Sequence, residues 1–141
     1  MFLYLYKMKT AITLFISALI SLSFSFKGNL SECSVKCNGI YAYKLDNENS
    51  AVIRFYADGT VLASTSVNDY MDVFSWFHKD NKDLVLKGTY KIRKCEIKFE
   101  VAGMTGEQKY SGTINGDSII MKLTDKGSKK TANRTYTFYA L

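Results

Sequence analysis

The chain has no proline among its 141 residues, a single histidine and a single tryptophan. With no proline, nothing forbids a backbone N–H from joining a ladder, so continuous sheet is open to the whole chain. With His78 the only imidazole and no Gly-x-Ser-x-Gly around any serine, a triad hydrolase lacks its base and its nucleophile elbow. No glycine-rich stretch runs into Lys-Ser/Thr and a helix, which sets nucleotide chemistry aside. Three cysteines and one histidine do not offer four ligands at zinc spacing. Asp80-Asn81-Lys82-Asp83 lacks the glycine and closing glutamate of a calcium loop. The acidic pairs Asp69 with Asp72 and Asp80 with Asp83 lie in polar stretches and read as solvated carboxylates. A non-enzymatic protein without a cofactor is the expectation.

Long apolar runs are also scarce. Lys7 and Lys9 precede an uncharged stretch over 10–26 that holds Ile12, Leu14, Phe15, Ile16, Leu19, Ile20 and Leu22. It contains six Ser or Thr, and it falls short of the roughly 20 apolar residues that cross a bilayer. A basic segment followed by a short apolar one is the layout of a signal peptide. Residues 1–25 are read as that leader, with Met8 as the natural start and cleavage after Ser25. The chain is then exported, periplasmic or secreted, and keeps no membrane span after cleavage. Leu30-Ser31-Glu32-Cys33 carries an acidic residue where a lipoprotein box has small ones, which disfavours lipid anchoring through Cys33.

The net charge of +6 becomes +4 once Lys7 and Lys9 leave, and the remaining charges are scattered. Nucleic acid is therefore not an expected partner. The one basic concentration, Lys126, Lys129, Lys130 and Arg134, surrounds Gly127-Ser128 and reads as a solvated hairpin turn. In an oxidising compartment the cysteines form a disulfide, either Cys37 with Cys95 or Cys33 with Cys37, and leave one thiol over.

From residue 38 onward alternation with a period of two dominates. In 95–101, Cys95, Ile97, Phe99 and Val101 share one face while Glu96, Lys98 and Glu100 share the other. The same pattern predicts strands over 39–45, 51–57, 60–67, 86–93, 95–102, 107–115, 118–125 and 133–140. Asp58-Gly59, Gly103 to Gly106, Gly116-Asp117 and Lys126 to Ser128 separate neighbours by links too short for a parallel crossover. Eight hairpin-linked strands remove their exposed edges most simply by closing into a barrel. Residues 26–37 form a short N-terminal segment and 38–141 the barrel domain.

Residues 68–79 break the alternation. Asn68 or Asp69 supplies a cap, and Met71, Phe74 and Phe77 recur at helical spacing. A short helix or aromatic loop over one mouth of the barrel is expected there, with Trp76 and Phe77 as its lid. Tyr90, Phe99, Tyr110, Tyr136 and Phe138 stand at inward positions, and Tyr41 and Phe55 join them as candidate ligand contacts. Eight strands enclose a space that side chains fill or that holds one small ligand.

Residues 38–141 resemble the lipocalin and calycin class of barrels, most of all the small lipocalin-like proteins exported by bacteria. The carriers are Asn38-Gly-Ile-Tyr-Ala-Tyr43, the hairpin Arg54 to Val61, Lys87 to Ile92, and the closing strand Asn133 to Tyr139. Lipocalins open with Gly-x-Trp, whose Trp plugs the barrel floor beneath a basic residue of the last strand. Gly39-Ile40-Tyr41 and Arg134 occupy comparable places here, with Tyr replacing Trp. The resemblance implies an eight-stranded antiparallel up-and-down barrel that binds a hydrophobic small molecule. The other expectation is a fully packed barrel that meets an envelope protein or a glycan.

Overall fold

The computed structural model describes residues 33–67, 72–81 and 83–141. They form eight strands: β1 (Gly39–Lys44), β2 (Ser50–Phe55), β3 (Thr60–Val67), β4 (Leu86–Arg93), β5 (Glu96–Gly103), β6 (Gly106–Asn115), β7 (Ser118–Asp125) and β8 (Thr131–Ala140). Each pairs antiparallel with the next, and β8 pairs with β1 to close the barrel. The all-β, up-and-down architecture expected from the alternation is the one observed. The proposed leader lies outside the described residues, among which no helix is long and apolar enough to cross a membrane.

Two of the turns sit where glycine permits them, while Lys94 and Lys129 take the left-handed backbone at two others. Gly59 and Gly116 take φ of 85° and 58°, a left-handed backbone that costs an L side chain free energy. Asp58 reinforces its turn by accepting a hydrogen bond from the Thr60 N–H at 3.0 Å. Strand β5 then alternates as its sequence does, with Ile97, Phe99 and Val101 buried and their neighbours exposed.

Strands β1 and β2 behave differently, being buried on both faces over most of their length. Their outward residues Ile40, Ala42 and Val52, with Leu62 of β3, are apolar where β5 carries Lys and Glu. That outer stripe has to be covered, and the segment after β3 covers it. Asp72–Ser75 makes one turn of 3-10 helix, and Val73 and Phe77 are buried against the stripe together with Val85. Arg54 of β2 donates from Nη1 to the Phe77 carbonyl at 3.2 Å and ties the segment down. The expected lid over a mouth is thus corrected: this segment packs on the outside of the wall. Asn68, Asp69 and Met71, which suggested a helix start, lie outside the described residues.

The disulfide also departs from expectation. Cys33 bonds to Cys95, their Cα atoms 4.9 Å apart, and Cys37 is the free thiol. Neither expected pairing, Cys37 with Cys95 or Cys33 with Cys37, is formed. The reason lies in the path of residues 33–38, which run across one end of the barrel before β1 begins. Val35 and Cys37 turn into the core there, while Cys33 reaches the β4–β5 turn that carries Cys95. Local spacing could not reveal that path.

Candidate functional site

The inward faces of all eight strands meet in one cluster. Phe55 stands edge-on to Tyr41, Tyr90 and Phe99 at 5.5, 5.0 and 5.7 Å between ring centres, and Phe99 stacks on Tyr110 at 4.6 Å. Tyr41 also meets Phe138 at 5.2 Å, and Tyr43 meets Tyr136 at 6.0 Å. Such edge-on and offset pairs add stabilisation beyond the apolar area they bury. Seven of the candidate contacts, Tyr41, Phe55, Tyr90, Phe99, Tyr110, Tyr136 and Phe138, are therefore brought together inside the barrel. Trp76 and Phe77 are not among them: they pack on the outer wall, ring against ring at 5.7 Å. The interior aromatics fill the middle of the barrel with one another.

Residues 33–38 shut the end that holds the β2–β3, β4–β5 and β6–β7 turns. The Lys36 N–H donates to the Tyr41 hydroxyl at 2.9 Å, and the Lys36 ammonium lies 4.9 Å over the Phe138 ring and pairs with Asp117. Tyr90 donates its hydroxyl proton to the Tyr56 carbonyl at 2.9 Å. The floor pairing implied by the resemblance is not formed, since Tyr41 packs with Phe138 and Lys36, not with Arg134. Register explains this: Tyr41 lies opposite Phe138, whereas Arg134 is four residues earlier on β8, opposite Met121 of β7 and toward the other end.

At that far end a cleft of about 430 Å³ opens between β6, β7 and β8, lined by Gln108, Leu123, Asp125, Ser128, Lys130, Thr131, Ala132 and Arg134. Gln108, Leu123 and Arg134 belong to the same inward rows as Tyr110, Met121 and Tyr136. The Arg134 guanidinium lies 5.6 Å over the Tyr43 ring. Its Nη1 is buried, and the buried Tyr136 hydroxyl lies within reach of both the Arg134 guanidinium and the Tyr110 hydroxyl. Tyr110 donates its hydroxyl proton to Gln108 Oε1 at 2.8 Å. Burial pushes the Tyr110 phenol far up, and pushes Tyr136 up against the opposing influence of nearby Arg134, so both remain neutral O–H groups. On the rim, the Asp125 carboxylate accepts from the N–H and hydroxyl of Ser128 at 2.7 and 2.8 Å. Those bonds hold it below its ordinary range and committed to its own turn.

A second cleft, about 310 Å³, lies outside the wall between Lys79 and Asn81 on one side and Lys87, Ala102 and Met104 on the other. His78 is exposed on the same segment. Asp80 and Asp83 are exposed too, and among the described residues no group of three His, Cys, Asp or Glu could hold a metal ion. Asp69 lies outside the described residues.

Arg134 is the residue that sequence reasoning misplaced. It was grouped with the basic turn and with Tyr41, yet the turn lysine Lys126 pairs with Glu100 at 2.6 Å while Arg134 turns inward. The signal was its parity: two residues before Tyr136, it shares that side chain's face of β8.

What these features define is a closed eight-stranded antiparallel barrel with a filled middle, a plugged end and a cleft at the opposite end. Compared with protein-family models, curated proteins and solved structures, the chain finds no match.

Proposed function

We propose that this is an exported, lipocalin-like binding protein without enzymatic activity, which seats a hydrophobic small molecule in the cleft between β6, β7 and β8. The observation that carries the reading is that cleft, a concave space in which the apolar side chains of Leu123 and Ala132 lie among the polar and charged groups of Gln108, Asp125, Ser128, Lys130, Thr131 and Arg134. Because the middle of the barrel is filled with aromatic rings, the ligand sits at the end and does not run through the core. The Cys33–Cys95 bridge favours an oxidising compartment, periplasmic or secreted. It also occupies the sulfur that a lipid anchor on Cys33 would need.

The same filled interior favours a second reading, a packed module whose outer wall or loops meet an envelope protein or a glycan. Native mass spectrometry of the exported protein separates the two. A mass excess that disappears on denaturation, with a defined apolar molecule in an organic extract, is the expected result. A bare polypeptide mass transfers the role to the module.

A further inference from the structure

We infer that the outer wall from β4 to β7 is a docking surface for an acidic polysaccharide, gripped by a row of lysines that runs across the strands. The inference rests on the glycan half of the second reading above, names the wall and the sugar chemistry, and does not depend on the cleft.

Strand register builds the row. Lys91 lies opposite Lys98, Lys98 opposite Ser111, Ser111 opposite Lys122, and Lys122 opposite Asn133, so five neighbouring strands contribute one residue each. With strands about 4.8 Å apart, the row extends about 19 Å along the wall. Its members share the outward parity of their strands, and all three lysines are exposed. No acidic residue falls in the row.

The acids beside it are already engaged. Glu96 pairs with Lys98 at 3.7 Å, Glu100 with Lys109 at 3.6 Å and Lys126 at 2.6 Å, and Glu107 with Lys126 at 3.4 Å. Among the described residues Lys91 and Lys122 take part in no ion pair, and neither do Lys87 and Arg93, which extend the outward face of β4 on either side of Lys91. Like charges set directly opposite, as Lys91 and Lys98 are, work against the pairing of their strands. A polyanion laid along the row relieves that repulsion and meets several cations at once.

The groups around the lysines select the kind of polyanion. Ser111 and Asn133 in the row, with Thr113 and Thr135 in the row beside it, offer hydroxyls and an amide that match the hydroxyls of a sugar chain. Ile120 is the single large apolar side chain exposed in these two rows, too little to enter lipid. Neither row holds an aromatic ring on which a single-stranded nucleic acid could stack. A single file of cations without an apolar centre also suits an extended chain better than a folded protein.

The probes are oligogalacturonate and its methyl ester, which share a sugar chain and differ in whether each ring carries a carboxylate. They are titrated calorimetrically into the whole protein without divalent cations. The acid form should bind at least about tenfold tighter than the ester. Lys91→Gln with Lys122→Gln should weaken it by about tenfold or more. Lys44→Gln with Lys129→Gln, which removes the same charge from the far-end turns, should change it by less than about twofold. All four side chains are exposed, so both double variants keep the fold. Equal affinity for acid and ester, equal losses in the two double variants, or no loss in the first overturns the row and leaves the glycan reading standing. Tighter, row-dependent binding of phosphatidylglycerol vesicles or single-stranded DNA gives the wall to those partners and overturns the polysaccharide. Binding of neither sugar overturns the glycan reading, and the inference falls with it.

Discussion

Tyr41 and Tyr43 stand two residues apart on the inner face of β1 and face opposite fates. The hydroxyl of Tyr41 is held by the Lys36 N–H under the plug, while the ring of Tyr43 lies beneath the Arg134 guanidinium at the cleft. One strand thus carries the sealed end and the exposed end of the barrel within a few ångströms of rise. The consequences for stability and binding divide along that axis.

At the sealed end, the crosslink matters more than the third thiol. Cys33 and Cys95 are 62 residues apart, so their bond removes a large loop from the unfolded ensemble. Replacing both by Ser should cost about 2–4 kcal/mol in denaturant unfolding. Cys37→Ser should cost much less, and a thiol titration of the unfolded, unreduced protein should count a single free cysteine.

The outer cluster makes a separate claim. Phe77→Ala opens a cavity against Ile40, Val52 and Leu62 and should lower stability by about 3–5 kcal/mol. Because Phe77 packs on the wall and not over a mouth, the folded variant should bind a ligand of the far-end cleft as the parent does. A large loss of affinity at unchanged fold would restore the lid.

The barrel wall leaves no room at Gly88 of β4. A Cβ there would run into the Glu100 carbonyl of the paired strand β5. Gly88→Ala must push the two backbones apart, and we expect a loss of about 1–3 kcal/mol in thermal or denaturant unfolding. Gly127→Ala, whose Cβ would make only ordinary contact with the Asp125 side chain, serves as the control.

Acid should unfold the protein through its turns. The Lys79 ammonium and the Thr60 N–H hold the Asp58 carboxyl far below its ordinary range. The Glu48 N–H and Asn49 do the same at Asp46, Lys126 at Glu100, and Ser128 at Asp125. Each folded pKa lies below the unfolded one, so the unfolded chain takes up protons first as pH falls. The stabilisation is therefore present above about pH 4 and is lost progressively below it. Urea midpoints measured from about pH 6 down to about pH 3 should decline, and Asp58→Asn should decline less steeply. A flat profile in the parent would contradict this assignment.

Much of the fold was legible because a strand's faces alternate in sequence as they do in space. Every strand boundary fell within about two residues of its expected place, and Gly59 and Gly116 turned the chain where their neighbours implied. The same alternation put Tyr90, Phe99, Tyr110, Tyr136 and Phe138 inside. It also held information that was passed over: Ile40, Ala42, Val52 and Leu62 are apolar on the outward parity, which called for a cover on β1 to β3. Trp76 and Phe77 answer that call, and their aromatic character alone did not distinguish an outer wall from a mouth.

By itself, then, the sequence determined the number of strands, their antiparallel order and the inward rows of rings, all consequences of local period and turn chemistry. Only the tertiary structure decided three other matters. It joined Cys33 to Cys95, because residues 33–38 cross the barrel end before entering β1. It laid the segment after β3 on the outer wall. It set Arg134 of β8 over the Tyr43 ring of β1 at the far end. Each depends on which remote residues closure of the barrel brings within a few ångströms, and no local pattern encodes that distance.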